Sequence, residues 1–411
     1  GSSLADIRTS ATPTDDGHYL IKGAKIYISG GEQSLTENIV HMVLAKVKGA
    51  PAGVKGISLF IVPKFIVDEE GNATERNGVN LAGLIHKLGY RGTTSTALSF
   101  GDDAPCHGYL VGEPHQGLKY MFQMMNEARV GVGFGAAVIG YRGYMHSLEY
   151  AKDRLQGRKP SEKNPEAPQV PIIEHADVRR MLLAQKAYSE GGLALCLYGA
   201  RLMDDQHTHP DEQKRMEAGK LLDLLTPVIK AWPSEFGPKA NDLAIQVYGG
   251  AGYTREYPVE QCWRDNRLNP IHEGTNGIQG LDLLGRKIWQ DQSHGLQLLM
   301  QEMQVDLEAA TTDRCQQWAL SLSETLQQAV KVTQSLGKSL MSEDPDRVLA
   351  NASCYLHLFG HIIVSWMWLR QANAAAKALG SANSDEERNF YQGKLQAAQY
   401  FFHWEWPTVA Q

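Results

Sequence analysis

The chain has 411 residues, more than one ordinary hydrophobic core accommodates, so two or three domains are expected. Hydrophobic residues make up 43% and charged residues 21%, the balance of a globular protein, and no uninterrupted apolar run has bilayer-spanning length; disorder and a membrane-spanning chain are both disfavoured. A net charge of -6 supplies no general attraction for nucleic acid, and the five cysteines lack CxxC spacing, which argues against a disulfide scaffold or a metal site and fits a reducing compartment.

In chain order, Gly1-Ser2-Ser3-Leu4-Ala5-Asp6 has no initiator Met and no charged-then-apolar signal layout, so it reads as a fragment or a processed product. Short β-branched and apolar runs punctuated by glycine follow, at 18–29, 39–47, 56–62 and 95–100, and predict a strand-rich domain. The period becomes helical over 117–154, 175–206 and 211–248, which predicts a helical bundle. Between the first two stretches, 157–171 carries prolines at 160, 165, 168 and 171 and cannot continue a helix; it is expected to be a surface loop. Beyond Arg286, patterns rich in Gln, Ser, Ala and Leu run from about 296 to 402, interrupted by Ser342-Glu343-Asp344-Pro345, and predict about three further helices. The fold class is therefore α+β: a β-barrel-like domain over 1–113, a helical bundle over 114–292 and an appended helical domain over 293–411.

Two segments stand out chemically. Ile271-His272-Glu273-Gly274-Thr275-Asn276-Gly277-Ile278-Gln279 puts a carboxylate at the mouth of a helix that Thr275 is suited to cap. An acid there is favoured by the helix dipole without any catalytic role, but it also suits a general base, which against a weak carbon acid works only where water is excluded. Some twenty residues earlier, Gln246-Val247-Tyr248-Gly249-Gly250-Ala251-Gly252-Tyr253 pairs two glycines that read either as a helix C-cap or as bare backbone open to a pyrophosphate. Arg154 reads as a solvated helix-end residue or as a fork for phosphate, and Lys25-Ile26-Tyr27-Ile28-Ser29 as an ordinary strand. Trp366, Trp368, Trp404 and Trp406 read as packing residues.

In this order the two segments resemble the catalytic end of the acyl-CoA dehydrogenase family, and residues 1–290 resemble its longer bacterial branch, which carries a C-terminal extension and includes relatives acting on methylthio-alkanoyl thioesters. The resemblance implies that Glu273 removes the α-proton of an acyl-CoA thioester as the β-hydride passes to FAD, giving a trans-2-enoyl thioester. Ala128 occupies the position where some relatives place the base, which leaves Glu273 as the candidate. The implied FAD contacts are Ser2, in a turn where Ser3 replaces the usual Asp, then Tyr27, Ile28, Ser29, Arg154, Gln156, His175, Thr275 and Asn276. Gln246, Val247, Gly249 and Gly250 are implied to serve the flavin of a neighbouring subunit, and Gly277 stands where the family often has Gln. Ser95, Asn126, Arg129 and Gly274 are implied on the acyl-CoA side, with Arg91 and Thr94 along the same path. The resemblance further implies an absent N-terminal helical domain, a homodimer or homotetramer, a bacterial cytoplasmic location, no metal, and reoxidation by an electron-transfer flavoprotein, with an oxygen-using acyl-CoA oxidase as the alternative. Relatives of the DNA-alkylation response share the architecture, but over 301–411 acids outnumber bases, which argues against nucleic acid as a partner.

Overall fold

The computed structural model of the protein describes residues 3–410, so Ser2 lies outside the described residues. Two compact units divide the chain, residues 1–126 and 127–411.

The first unit contains β1 (Ser10–Pro13), β2 (Tyr19–Ser29), β3 (Val40–Val47), β4 (Ile57–Pro63), β5 (Phe65–Val67), β6 (Ala73–Arg76), β7 (Val79–Leu84), β8 (Ser95–Phe100) and β9 (His107–Leu110). Because β1 pairs with both β2 and β3, the order β1-β3-β4-β9-β2 closes on itself, and β8 and β7 extend the sheet beyond β2. The expected barrel-like character is thus present, and the four anticipated strands fall within one residue of their expected limits. Alternate residues point inward, and Ala11, Ile21, Val43, Phe60, Leu98 and Phe100 fill the interior. Asn77, 2% exposed, takes the place of a ladder where β4 ends. It donates to the carbonyls of Pro63 and His107 and accepts from the amides of Gly78 and His107.

In β2 the register against β8 slips by one residue between Ile26, opposite Ala97, and Ile28, opposite Thr96. Tyr27 is the extra residue: a β-bulge with φ 62° and a ring 72% exposed.

The second unit is helical. α1 (Gly117–Asp153) starts in the first unit and continues into the second; α2 (Ala176–Thr208) and α3 (Glu212–Tyr248) follow, joined by three residues, which forces them antiparallel. Asp211 caps α3 by accepting from the amide of Gln213. α3 carries Pro227, Pro233 and Pro238 inside it, and each removes one backbone donor. The carbonyl of Ile229, which Pro233 leaves without its usual partner, is instead approached by Gly133 of α1, where any side chain would collide.

α4 (Val259–Asn266) and α5 (Asn276–Gly285) lead to α6 (His294–Glu308), α7 (Asp313–Ser342), α8 (Pro345–Leu349), α9 (Ala352–Leu379) and α10 (Asp385–Tyr400). The tail thus holds five helices where about three were expected, because Pro345 starts a separate short one and α6 is distinct from α7. One core runs from α2 to α10, with Leu195, Ile229, Trp232, Leu284, Leu322, Trp366 and Phe401 among its members. Trp366 and Trp368 are fully buried, as packing residues should be, whereas Trp404 is exposed. Among the described residues α9 is the one helix long and apolar enough to cross a membrane, and 78% of that apolar stretch is buried within the fold.

Candidate active site

Glu273 sits on an elbow rather than in a helical turn. Asn276 is the first residue of α5 and Thr275 its N-cap, accepting at Oγ1 from the amide of Ile278 at 3.3 Å. Glu273 precedes that cap by two residues, with a left-handed backbone (φ 52°), followed by Gly274 at φ 87°. The sequence expectation of an acid at the helix mouth is therefore displaced outward, because two consecutive positive φ values cannot belong to a right-handed helix. The carboxylate is exposed.

Three devices hold this elbow. Gln279, fully buried on α5, donates from Nε2 to the carbonyls of Glu273 at 3.2 Å and Gly274 at 3.3 Å. Its amide lies 2.6 Å from where a Cβ on residue 274 would stand, so Gly274 is required both for its φ and for space. The amide of Asn276 donates to the carbonyl of Pro270 at 3.0 Å and closes the loop at its base. Upstream, buried asparagines form a ladder: Asn269 donates to Asn266, Asn266 to Asn241 and to the carbonyl of Ala136, and Asn241 to the carbonyl of Ile139. That ladder ties the segment leading to Glu273 onto α1.

Behind the elbow the charges are paired unevenly. Arg129, 5% exposed, donates to Asp282 at 3.0 Å, and Asp282 also takes Arg286 at 2.7 Å. Lys230, 0% exposed in the middle of α3, donates to Oδ1 of Asn276 at 3.3 Å. Burial, reinforced by the Arg129 charge and opposed by Glu273, pushes its ammonium down to about 8. Burial likewise holds the His272 ring below its ordinary range, and its Nε2 has no partner among the described residues. Lys230, Gln279, His272 and the asparagine ladder were not singled out in the sequence. A signal existed for Lys230, since it interrupts the apolar run Val228-Ile229-Lys230-Ala231-Trp232.

At the other end of α3, Gln246 is exposed and the Val247 side chain is buried in the core, while Gly249 caps the helix at φ 60°. Neither Gly249 nor Gly250 has any atom within 4 Å of where a Cβ would stand, so their backbone is open. Arg154 follows the last residue of α1 and is exposed, with Nη2 3.4 Å from the side-chain oxygen of Gln156. His175 occupies the N-cap position of α2 but does not cap it; its Nε2 donates to the carbonyl of Gln156 at 2.8 Å and pins that strand-like turn.

In the first unit Ser29 lies opposite Ser95, and the Ile28 carbonyl accepts from Thr96 Oγ1 at 3.0 Å. Ser95 is buried and accepts from Lys87 at 2.9 Å. Arg91 donates to the carbonyl of Lys87 at 3.2 Å, and the carbonyl of Thr94 accepts from Gly30 at 2.9 Å. Asn126 is half-buried on α1, at the end of this unit.

Residues 115–288 match the family model described as "Acyl-CoA dehydrogenase, C-terminal domain", and residues 299–411 match "Acetyl-CoA dehydrogenase C-terminal like". The chain is similar to 3-methylmercaptopropionyl-CoA dehydrogenase of Ruegeria pomeroyi, 38% identical over 98% of this chain and 67% of that protein. It is also similar to a broad-specificity linear acyl-CoA dehydrogenase of Mycobacterium tuberculosis, 36% identical over 98% of this chain and 67% of the relative. The chain thus spans about two thirds of the length of these relatives. Among solved structures, ACDH-11 of Caenorhabditis elegans in complex with C11-CoA superposes with a TM-score of 0.81 at 20% identity, covering 98% of this chain and 62% of that one. An acyl-CoA dehydrogenase of Bacillus anthracis complexed with FAD gives 0.76 at 20% identity, covering 98% and 65%.

The residues present suit FAD. Tyr27 offers an exposed aromatic face beside the exposed hydroxyl of Ser29, which matches a flat heteroaromatic ring with polar edges. In the second unit, the exposed fork of Arg154 is the donor type a pyrophosphate takes, and the bare Gly249 and Gly250 leave room for a close approach, although the Gly249 amide itself donates to the carbonyl of Gln246. With relatives above 30% identity over nearly its whole length, the chain belongs to the acyl-CoA dehydrogenase family.

Proposed function

We propose that the protein catalyses α,β-dehydrogenation of an acyl-CoA thioester to the trans-2-enoyl thioester, with Glu273 as the base that takes the α-proton. The observation that carries this reading is the Glu273 elbow, an exposed carboxylate whose backbone is held by Gln279, with Ala128 supplying no second carboxylate. When bound, FAD supplies the two-electron acceptor for the β-hydride. The chain's own residues orient and shield: Arg129, locked to Asp282, lines the acyl-CoA side, and Tyr27 and Ser29 present the cofactor face. Thr275 and Asn276 begin α5, whose N-terminus favours negative charge.

The names of the relatives, 3-methylmercaptopropionyl-CoA, linear acyl-CoA and butyryl-CoA dehydrogenases, support an unbranched acyl chain as substrate. Electrons pass on to an electron-transfer flavoprotein in this reading, and the open backbone at Gly249 and Gly250 supports a homodimer in which those glycines face the partner's cofactor. A cytoplasmic bacterial location completes the proposal. The test is Glu273→Gln in the FAD-loaded enzyme, mixed anaerobically with acyl-CoA while flavin bleaching is followed. Gln keeps the shape and loses the basic oxygen, so bleaching slows by about a hundred- to ten-thousand-fold with binding retained. Bleaching at the parent rate would place the base elsewhere. Rapid reoxidation of the reduced enzyme by air would point instead to an oxidase.

A further inference from the structure

Lys230 is a charge without a matching charge in contact. Its neighbours on α3, Val228, Ile229, Ala231 and Trp232, are all buried, and its own exposure is 0%. Burying an ammonium is costly unless it is paired. Among the described residues its hydrogen-bond partner is the amide oxygen of Asn276, which is neutral, and no carboxylate lies within ion-pair distance. Asp282, the nearby acid on α5, is already shared by Arg129 and Arg286. The charged and titratable groups that face Lys230 are therefore Arg129 from α1, which repels it, Glu273 from the elbow, which attracts it, and His272 beside Glu273.

Resting on the reading of Glu273 as the base, we infer that Lys230 is a positioning residue for it: the buried ammonium is the counter-charge of the Glu273 carboxylate and, through Asn276, fastens the start of α5 to α3. Two physical consequences follow. The side chain of Asn276 is turned toward α3, reaching Lys230 and, at 3.5 Å, the carbonyl of Ala231, so the elbow is anchored from behind by a polar pair. And because the Glu273 charge favours the ammonium, Lys230 holds its own proton less tightly where that charge is removed.

The experiment is a pH titration of the full-length, FAD-loaded enzyme labelled with carbon-13 at lysine Cε, followed by NMR. Lys230→Arg keeps the charge and deletes one resonance, which assigns Lys230. The expected midpoint of that resonance in the parent is about 8. In Glu273→Gln the midpoint falls by about one unit, the size of a nearby opposite charge. An unchanged midpoint in Glu273→Gln overturns the inference, whether or not that variant is active. Activity of Glu273→Gln at the parent rate, with the midpoint shifted, would instead defeat the base assignment and leave the charge pairing intact. As a second readout, the rate of flavin reduction in the parent is expected to change on the order of tenfold as the pH passes about 8, and not to do so in Lys230→Met. A step that survives in Lys230→Met likewise overturns the inference, and if that variant fails to fold, the Glu273→Gln titration decides alone.

Discussion

Gln279 reaches back from the first turn of α5 to donate to the carbonyl of Glu273 at 3.2 Å, so the helix holds in place a residue that precedes its own N-cap. A base on a left-handed elbow is strained and would drift without such a clamp. Gln279→Leu removes both donated hydrogen bonds at similar volume. The expected outcome is flavin reduction slowed by roughly ten- to a hundred-fold, since an error of about 1 Å at a base is worth that much, with FAD content unchanged. Stopped-flow reduction alongside flavin absorbance checks both; parent-like reduction would show that the elbow holds its shape unaided.

Tyr27 trades stability for presentation of its ring. A non-glycine residue at φ 62° costs on the order of 1 kcal/mol, and a ring 72% exposed returns little packing. Tyr27→Gly is expected to leave apoprotein stability unchanged or raise it by up to about 1 kcal/mol, while FAD affinity falls about tenfold. Thermal melts of the apoprotein and calorimetric FAD titration measure the two halves. Loss of stability with full FAD affinity would assign the ring to packing.

His361 makes the helical unit acid-sensitive. Burial pushes its ring down to about 4, against a donated bond to the carbonyl of His357, with His357 and Lys239 disfavouring the charge and Glu235 favouring it. The folded value lies below the unfolded one near 6.5, so the unfolded chain binds more protons between the two values. Stability is then fully present above about pH 6.5 and declines as pH falls toward 4, by about 2 kcal/mol between pH 7 and 5. Urea denaturation at the two pH values should show that increment in the parent and its loss in His361→Leu.

Trp368 joins α9 to α2. It is fully buried, donates to the carbonyl of Ala187 at 3.1 Å, and its indole nitrogen lies 2.7 Å from where a Cβ on Gly191 would stand. Trp368→Ala should cost about 3–5 kcal/mol and move the whole helical unit in a single transition, whereas Trp404→Ala, 61% exposed, should cost less than about 1. Guanidinium melts followed by circular dichroism discriminate them; a separate early transition for the tail would mean that α9 and α2 unfold independently.

How much of this was legible depends on what each residue advertises. The strands over 18–29 and 95–100 announce themselves by alternation, but β1 and β9 are four residues each and too short to show a period. α3 is readable despite three prolines because its apolar spacing continues through them, and their cost is absorbed by contacts such as Gly133 on Ile229 that no sequence pattern displays. Glu273 and Thr275 are visible because carboxylate and capping hydroxyl are chemically distinctive. The left-handed backbone at Glu273 is not, since only Gly274 hints at it. Lys230 reads as an ordinary solvated lysine until the fold buries it, for burial is a property of the partner helices and not of the residue.

The single core from α2 to α10 has a consequence for synthesis. Trp232 and Phe236 of α3 pack on one side against α2 and on the other against α9 and the segment after α10, where Phe401 leaves the ribosome some 170 residues later. At ordinary elongation rates of about 5–20 residues per second, that second side stays bare for on the order of ten seconds or more. A nascent chain in that interval presents aromatic surface that α2 covers only in part, so yield in a cell should depend on chaperone capacity and growth temperature more steeply than the stability of the finished protein suggests.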